Sequence, residues 1–386
     1  ALDHDNGALY YGINNVWYTP TASGGDPTSG ASKTGAVQTW TAGAKRFLPA
    51  IQNYNTGVLI VNFGQDSSFA GNQTAQGNQD ANEIGDFYYT PPTDYLALCT
   101  SNLPDPDIAL PSDHFSADIY TGTAAAKTIT TGFQTDFVWG KNRNGTSSYC
   151  LMDIVRGTDS TLKCNTTAAE EIASDVITSF NSDGFTLGDS ATGPNLNANG
   201  SDTFVTWAWK GGGTGASNDD GSITSTVSAN TSAGFSAVGY VGDSSSNQTV
   251  GHGLSVAPEL IIVKNYTDIV FWPAGTVYGS GWDYYLNFDS VEPQQVGGYF
   301  TGDGGAAPTA TVFGVSTNNA VNGNTNEHIA YCFHSVEGYS KVGVYTGNGT
   351  GSADDNPYWP EGPFVYTGFT PEFLIIKQLS SVNEGW

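Results

Sequence analysis

Histidine and cysteine are scarce in this 386-residue chain, five and four in number. Three of them fall together at His328, Cys332 and His334. Imidazole and thiolate are zinc ligands, and a tetrahedral ion draws its ligands to about 2 Å. The stretch reads as a strand, which at ~3.3 Å per residue sets His328 and Cys332 about 13 Å apart. Only Cys332 and His334 are near enough to share an ion. Asp3, Asp5 and Asn6 imitate the opening of a calcium loop, but no acidic residue closes it at the required distance. They suit a turn before Gly7 better. Asp219-Asp220-Gly221 and Gly302-Asp303-Gly304-Gly305 are turn sequences first, with calcium the lesser reading. A glycosidase needs two carboxylates ~5–10 Å apart across a cleft, and no spacing here selects a pair. Neither Gly-x-Ser-x-Gly nor His-Glu-x-x-His occurs. Lys141, Lys264 and Lys377 each end an apolar run, where a strand-end charge normally reaches solvent. No catalytic, cofactor-binding or metal-ligating residue is assigned, and the expectation is a protein that is not an enzyme and needs no cofactor.

The elements that hold these residues recur. Phe115-Ser-Ala-Asp-Ile-Tyr120-Thr-Gly returns as Phe235-Ser-Ala-Val-Gly-Tyr240-Val-Gly and again as Tyr339-Ser-Lys-Val-Gly-Val-Tyr345-Thr-Gly. Lys141-Asn, Lys264-Asn and Lys377-Gln close three matching apolar runs. Leu162 pairs with Leu286, and Phe204-Val-Thr-Trp207-Ala-Trp209 pairs with His328-Ile-Ala-Tyr331-Cys-Phe333. The first two copies stand 120 to 124 residues apart, the offset growing as loop insertions would make it. Comparison of copies weakens the metal candidate, because Cys332 and His334 correspond to Ala208 and Lys210. Arrays of similar units usually reach and display.

Short β-branched and aromatic runs bounded by Gly, Asn, Asp and Ser point to strands and tight turns. The fold class expected is all-β, as tandem antiparallel β-sandwich domains. Ala1–Tyr18 reads as a hairpin turning at Asn6-Gly7, and strands are expected at Phe47–Ile51 and Val58–Gly64. Thr167–Val176 reads as a short helix or a loop. In the strand 204–210, Val205, Trp207 and Trp209 share one face and Thr206, Ala208 and Lys210 the other. The large face, with its counterparts Ile329, Tyr331 and Phe333, is expected to be sandwich core, and an exposed sugar-binding platform is the sharper alternative. Cys150 and Cys164 could close a hairpin; Cys332 fills a small buried position, and Cys99 is unassigned. Asn144 and Asn348 begin Asn-x-Ser/Thr triplets that an Asn/Thr-rich chain produces by chance. A net charge of −25 repels phosphate backbones and keeps a large surface soluble. No run approaches the ~20 apolar residues of a membrane span.

The Asp3–Tyr11 segment, Leu48-Pro-Ala-Ile51 and Val61-Asn-Phe-Gly64 resemble the second half of a SPRY domain, a concanavalin-like β-sandwich that binds partners. Leu98-Cys-Thr-Ser-Asn-Leu-Pro104, Ala330–Lys341 and Gly362-Pro-Phe-Val-Tyr-Thr-Gly-Phe369 resemble poorly characterised phage and prophage proteins that place such a module before β repeats. The resemblance implies a tail fibre or other virion-surface protein, hence a virion-surface or extracellular location. The organisation expected is residues 1–92 as the C-terminal half of a SPRY-like sandwich and 93–114 as a Pro-rich connector packed through Tyr95, Leu96 and Leu98. Repeat units follow at 115–234 and 235–338, and a third opens at 339–386. Because it opens inside a strand pattern and closes inside a repeat, the sequence is expected to belong to a longer polypeptide. Expected partners are other virion proteins, a homo-oligomer of the chain itself, and a host surface glycan or protein, with no nucleic acid and no membrane insertion. The alternatives are a bacterial adhesin or carbohydrate-binding protein, and a polysaccharide-degrading appendage.

Overall fold

The computed structural model describes residues 1–42, 60–102, 106–189, 196–198, 200–302, 306–347 and 363–380. Leu48–Ile51, the start of the 58–64 run, Asp303–Gly305 and Asn348 lie outside the described residues. The chain is all-β with antiparallel sheets, divided into Ala1–Asp105 and Pro106–Trp386. The division falls inside the expected connector. Tyr95 there donates to Pro27 O, but Leu96 and Leu98 are 44% and 70% exposed. They face solvent instead of packing.

In the first unit β1 (Leu2–Asp3), β2 (Ala8–Leu9) and, later, β5 (Gln38–Thr39) form one sheet. Asp3 accepts from the Asn6 backbone and side chain at 3.0 and 2.9 Å. Asp3 and Asn6 therefore lock the turn. Gly7, at φ +73°, closes the turn, and a Cβ there would lie 2.3 Å from Trp40 O. The single hairpin expected over 1–18 is two. Between β3 (Tyr11–Ile13) and β4 (Val16–Tyr18), Asn14 and Asn15 both take positive φ, the type I′ geometry that matches strand twist.

In the second unit the first repeat runs through β6 (Phe115–Thr121), β7 (Lys127–Thr130), β8 (Phe137–Asn142), β9 (Cys150–Asp153), β10 (Ser160–Thr161), β11 (Glu171–Ile172), β12 (Ile177–Asn181), β13 (Gly184–Leu187) and β14 (Thr203–Trp209). Then come β15 (Ala216–Asn218), β16 (Ser225–Asn230), β17 (Phe235–Val241), β18 (Gln248–Gly251), β19 (Leu260–Asn265), β20 (Pro273–Thr276), β21 (Tyr284–Asn287), β22 (Gln295–Val296), β23 (Val312–Val315) and β24 (Glu327–Phe333). Sheet order β6-β14-β8-β9 in the first repeat matches β17-β24-β19-β20 in the second, and β13-β7 matches β23-β18. Registers match as well: Phe137 faces Asp153 as Leu260 faces Thr276. The sequence repeat is thus a repeated two-sheet sandwich. β15 and β16, which precede Phe235 in the chain, pair onto β17 and extend the second sheet. Residues 167–176 contain β11 and no helix; a helical turn occurs instead at Asn319–Asn322.

Alternation on β14 places Phe204 and Ala208 in the first sandwich's own core, with Val138, Met152, Phe185 and Leu187. Ala330 and Cys332 of β24 do the same in the second, against Val250, Phe313 and Val315. The large-residue faces point the other way. Phe137, Trp139 and Trp209 meet Phe235, Ile262 and Tyr331 in a third core, shared between the repeats. The Trp face is core, as expected, but the core lies between sandwiches, and the face read as small and polar is the sandwich interior. Full burial of one such side chain contributes roughly 1.5–3 kcal/mol.

Two repeated clamps close each sandwich. Tyr120 donates to Leu196 O at 3.0 Å, and Tyr240 to Val321 O at 2.7 Å. Beside them Asn197 accepts from Thr123 N and donates to Ala125 O, while Asn322 accepts from Asp243 N and donates to Ser245 O. Both asparagines are fully buried, so their amides replace water for loop groups that have no strand partner. Asn322→Ala is expected to cost about 1–3 kcal/mol, because it removes the hydrogen bonds to Asp243 N and Ser245 O from a fully buried side chain. Urea denaturation of that variant measures it.

Candidate functional site: the aromatic seam between repeats

The seam begins with the strand faces just described. Phe137 stacks on Tyr331 at 4.4 Å and on Phe235 at 5.6 Å. Trp209 meets Phe333 at 6.4 Å. The third copy's strand pattern lies over the exposed end of this seam. Phe373 packs against Trp207, Trp209 and Trp139 at 5.1, 5.2 and 5.7 Å. Beneath it opens a cleft of about 350 Å³, bordered by Trp139, Tyr149, Trp207, Phe288, Phe373 and Asn165. The Trp139 indole N–H has no hydrogen-bond partner. The rings of Tyr149 and Trp207 stand nearly perpendicular to the Trp139 ring, at 6.1 and 6.5 Å. A stacking platform needs a ring face open to solvent. Trp209 is 7% exposed, and half-buried Trp207 has Phe373 tilted against it at 5.1 Å, so the strand offers no row of open ring faces for a sugar.

One charged cluster crosses the seam. Arg156 donates to Asp153 and Glu170 at 2.7 Å each and to Leu151 O at 3.0 Å. Tyr331 of the second repeat donates to Asp153 at 2.8 Å. The Arg156 and Asp153 side chains are 2% and 0% exposed. Burial alone would lower the Arg156 pKa, but the Asp153 carboxylate, with Tyr331 and Glu170, raises it. Burial and Asp153 likewise push the Tyr331 phenol well up, so it remains a donor. In the second repeat Thr276 occupies the Asp153 register position. This cluster is thus particular to one seam, where it can fix which faces meet.

The recurring lysines are corrected. Lys264 is fully buried and donates to Val270 O and Thr167 O at 2.6 and 3.0 Å. Lys141 bonds Ser147 O and Lys377 bonds Ser290 O. All three reach loop carbonyls, but only Lys264 is withdrawn from solvent; Lys141 and Lys377 are half-exposed. Burial lowers the Lys264 pKa to about 8 against the pull of Asp289 and Asp268.

The histidine–cysteine group is not drawn together as a metal site. His328 stacks on Tyr240 at 5.0 Å and bonds Asn326 O. Cys332 packs in the second sandwich core. His334 bonds Ser335 O. Among the described residues no three His, Cys, Asp or Glu are arranged to hold a metal. All four cysteines are free; Cys150 and Cys164 lie in different cores, on opposite faces of the sheet, and form no disulfide. Asp219 and Asp220 are held within their turn by Thr224 and Asn218. Asn144 accepts from Thr203 and serves as a loop lock. No helix among the described residues is long and apolar enough to cross a membrane.

His328 gives the molecule an acid sensitivity. Burial lowers its pKa to about 4, against the opposing pull of the Asn319 and Asn326 carbonyls. The unfolded chain therefore binds the proton more readily. Stability owed to this group is complete above about pH 6.5 and is lost as pH falls toward 4. At 1.36 kcal/mol per unit the loss reaches about 3 kcal/mol. Stability measured across pH 4–7 is expected to fall less steeply for His328→Gln than for the parent.

The first unit holds a different feature. An open apolar hollow of about 620 Å³ is bordered by Leu9, Tyr10, Tyr11, Tyr18, Pro20 and Val37. Tyr11 is 54% exposed, its ring 6.5 Å from that of Tyr18.

The Asn clamps and the shared seam were missed from sequence. Leu196-Asn197 and Val321-Asn322 stand 125 apart, close to the repeat offset, and that coincidence was the available signal. A family model described as a domain of unknown function (DUF7483) matches residues 110–386. No curated protein and no solved structure matches the chain.

Proposed function

We propose that this chain, which belongs to the DUF7483 family through residues 110–386, is a structural protein of a virion surface, a phage tail fibre or related appendage acting in host attachment. The observation that carries the reading is the aromatic seam. Repeats that spend their largest faces on one another form a stiff, continuous body, which suits reach and display better than turnover. The net charge of −25 favours a dispersed exterior. Its partners in this reading are other virion proteins, further copies of itself, and a host surface glycan or protein. Immunogold labelling of purified particles tests it. Label on an appendage is the expected result; the chain in a secreted cellular fraction and absent from particles would overturn it.

A second reading, a carbohydrate-binding adhesin, is favoured by the Tyr11 and Tyr18 hollow, since exposed rings stack on sugar faces. In that reading Tyr11→Ala abolishes saccharide binding on a glycan array while leaving thermal unfolding within about 0.5 kcal/mol of the parent. Equal binding by parent and variant would dismiss the hollow as the site.

A further inference from the structure

The two complete repeats differ at one sheet edge. In the second, β17 lies inside its sheet, with β24 on one side and β16 on the other. In the first, the matching β6 ends its sheet, with β14 on one side and no strand among the described residues on the other. Register says which groups are left over. Gly122 N donates to Asp202 O at 2.9 Å, and Lys210 N to His114 O at 3.0 Å. Residues along an antiparallel pair alternate between bonded and non-bonded positions. Ser116, Asp118 and Tyr120 therefore exchange bonds with β14, while Ala117 and Ile119 turn their N–H and C=O groups outward. Their counterparts Ala237 and Gly239 stand opposite Ser228 and Thr226 of β16.

The sequence before β6 explains the gap. Set back by the repeat offset of 120, residues 106–110 correspond to residues 226–230 of β16. Pro106 has no N–H to offer a ladder, and residues 106–110 form no strand. Ile108 is buried against Ala233, Val336 and Tyr339 instead. What remains is a seven-residue open edge, Phe115–Thr121, with Ala117 exposed and Ile119 65% exposed. One difference in sequence marks it. Val238 of β17 is fully buried and stands opposite Val227 of β16; Asp118 holds that position in β6. Asp118 accepts from Ser116 Oγ at 2.7 Å and, among the described residues, enters no ion pair.

We propose that the free edge of β6 docks an extended segment of a basic partner protein, which adds as an antiparallel strand in the place that β16 takes beside β17 and sets a Lys or Arg opposite Asp118. Main-chain bonds to Ala117 and Ile119 supply the affinity, and the alternating side chains supply the choice of partner. A cation opposite Asp118 is favourable across a strand pair, and a carboxylate there is not. The net charge of −25 draws a basic segment in from a distance.

The test titrates the full chain against two labelled peptides of the β16 sequence, one with Lys and one with Glu in place of Val227, and reads fluorescence anisotropy. The Lys peptide is expected to bind about tenfold more tightly than the Glu peptide. Asp118→Lys is expected to invert that preference. Ala117→Pro, which removes an outward N–H and leaves the bonds to β14 in place, is expected to weaken the Lys peptide about tenfold. Binding of neither peptide would overturn the docking site and leave Asp118 as a charge that keeps the edge from pairing. Equal affinity for the parent and Ala117→Pro would overturn it too, by placing the peptide elsewhere on the acidic surface, as would a preference that survives Asp118→Lys.

Discussion

Arg156→Met is expected to lower the unfolding free energy by about 3–5 kcal/mol, because it leaves the Asp153 carboxylate buried without its cation. Asp153 is fully enclosed, and its other partners, the Tyr331 hydroxyl and the Arg156 backbone N–H, do not neutralise it. Adding Asp153→Leu and Tyr331→Phe should recover part of the stability, since no charge or unpaired hydroxyl then remains in the seam. Guanidinium denaturation of the single and triple variants measures both effects. A triple variant no more stable than Arg156→Met alone would assign the cost to packing and not to charge.

Phe137→Ala is expected to cost about 3–5 kcal/mol, the range for an aromatic side chain removed from a closed core. Phe137 is 1% exposed and touches Trp209, Phe235 and Tyr331. Its loss opens a cavity shared by two repeats. Phe204→Ala should cost a similar amount, since Phe204 is equally buried and stacks on Tyr120 at 5.6 Å, but that cavity lies inside one sandwich. The difference is where the damage is felt. For Phe137→Ala, amide exchange should quicken in β17 and β24 of the second repeat as well as in β8 and β14. For Phe204→Ala it should quicken first around β7 and β13.

The fold class and the placement of the repeats were legible because strand alternation and turn residues act locally. Phe115–Thr121 and Phe235–Val241 are strands of matching position in matching sheets. What the alternation hid was the use of each face. On β14 the small Ala208 and Thr206 look like a solvent side, yet they are fully buried under the second sheet of the sandwich. Packing partners contributed by residues far along the chain decide that, and no local pattern reports them. The lysines misled for the same reason. A Lys after an apolar run has a solvated head by default, and only the carbonyls of Val270 and Thr167 make burial of Lys264 tolerable. Their recurrence in three copies, each before Asn or Gln, was the hint of a shared structural task. The turn at Asn14-Asn15 is legible in its residue types, since Asn tolerates positive φ, but it is a weaker signal than Asn6-Gly7.

The most direct test of the shared aromatic core is native-state hydrogen exchange over Phe137–Asn142, Thr203–Trp209, Leu260–Asn265 and Glu327–Phe333. One core predicts that the slowest amides of all four strands exchange through a single global opening, with the same free energy and the same denaturant dependence. Two separate opening energies, one for each sandwich, would contradict it.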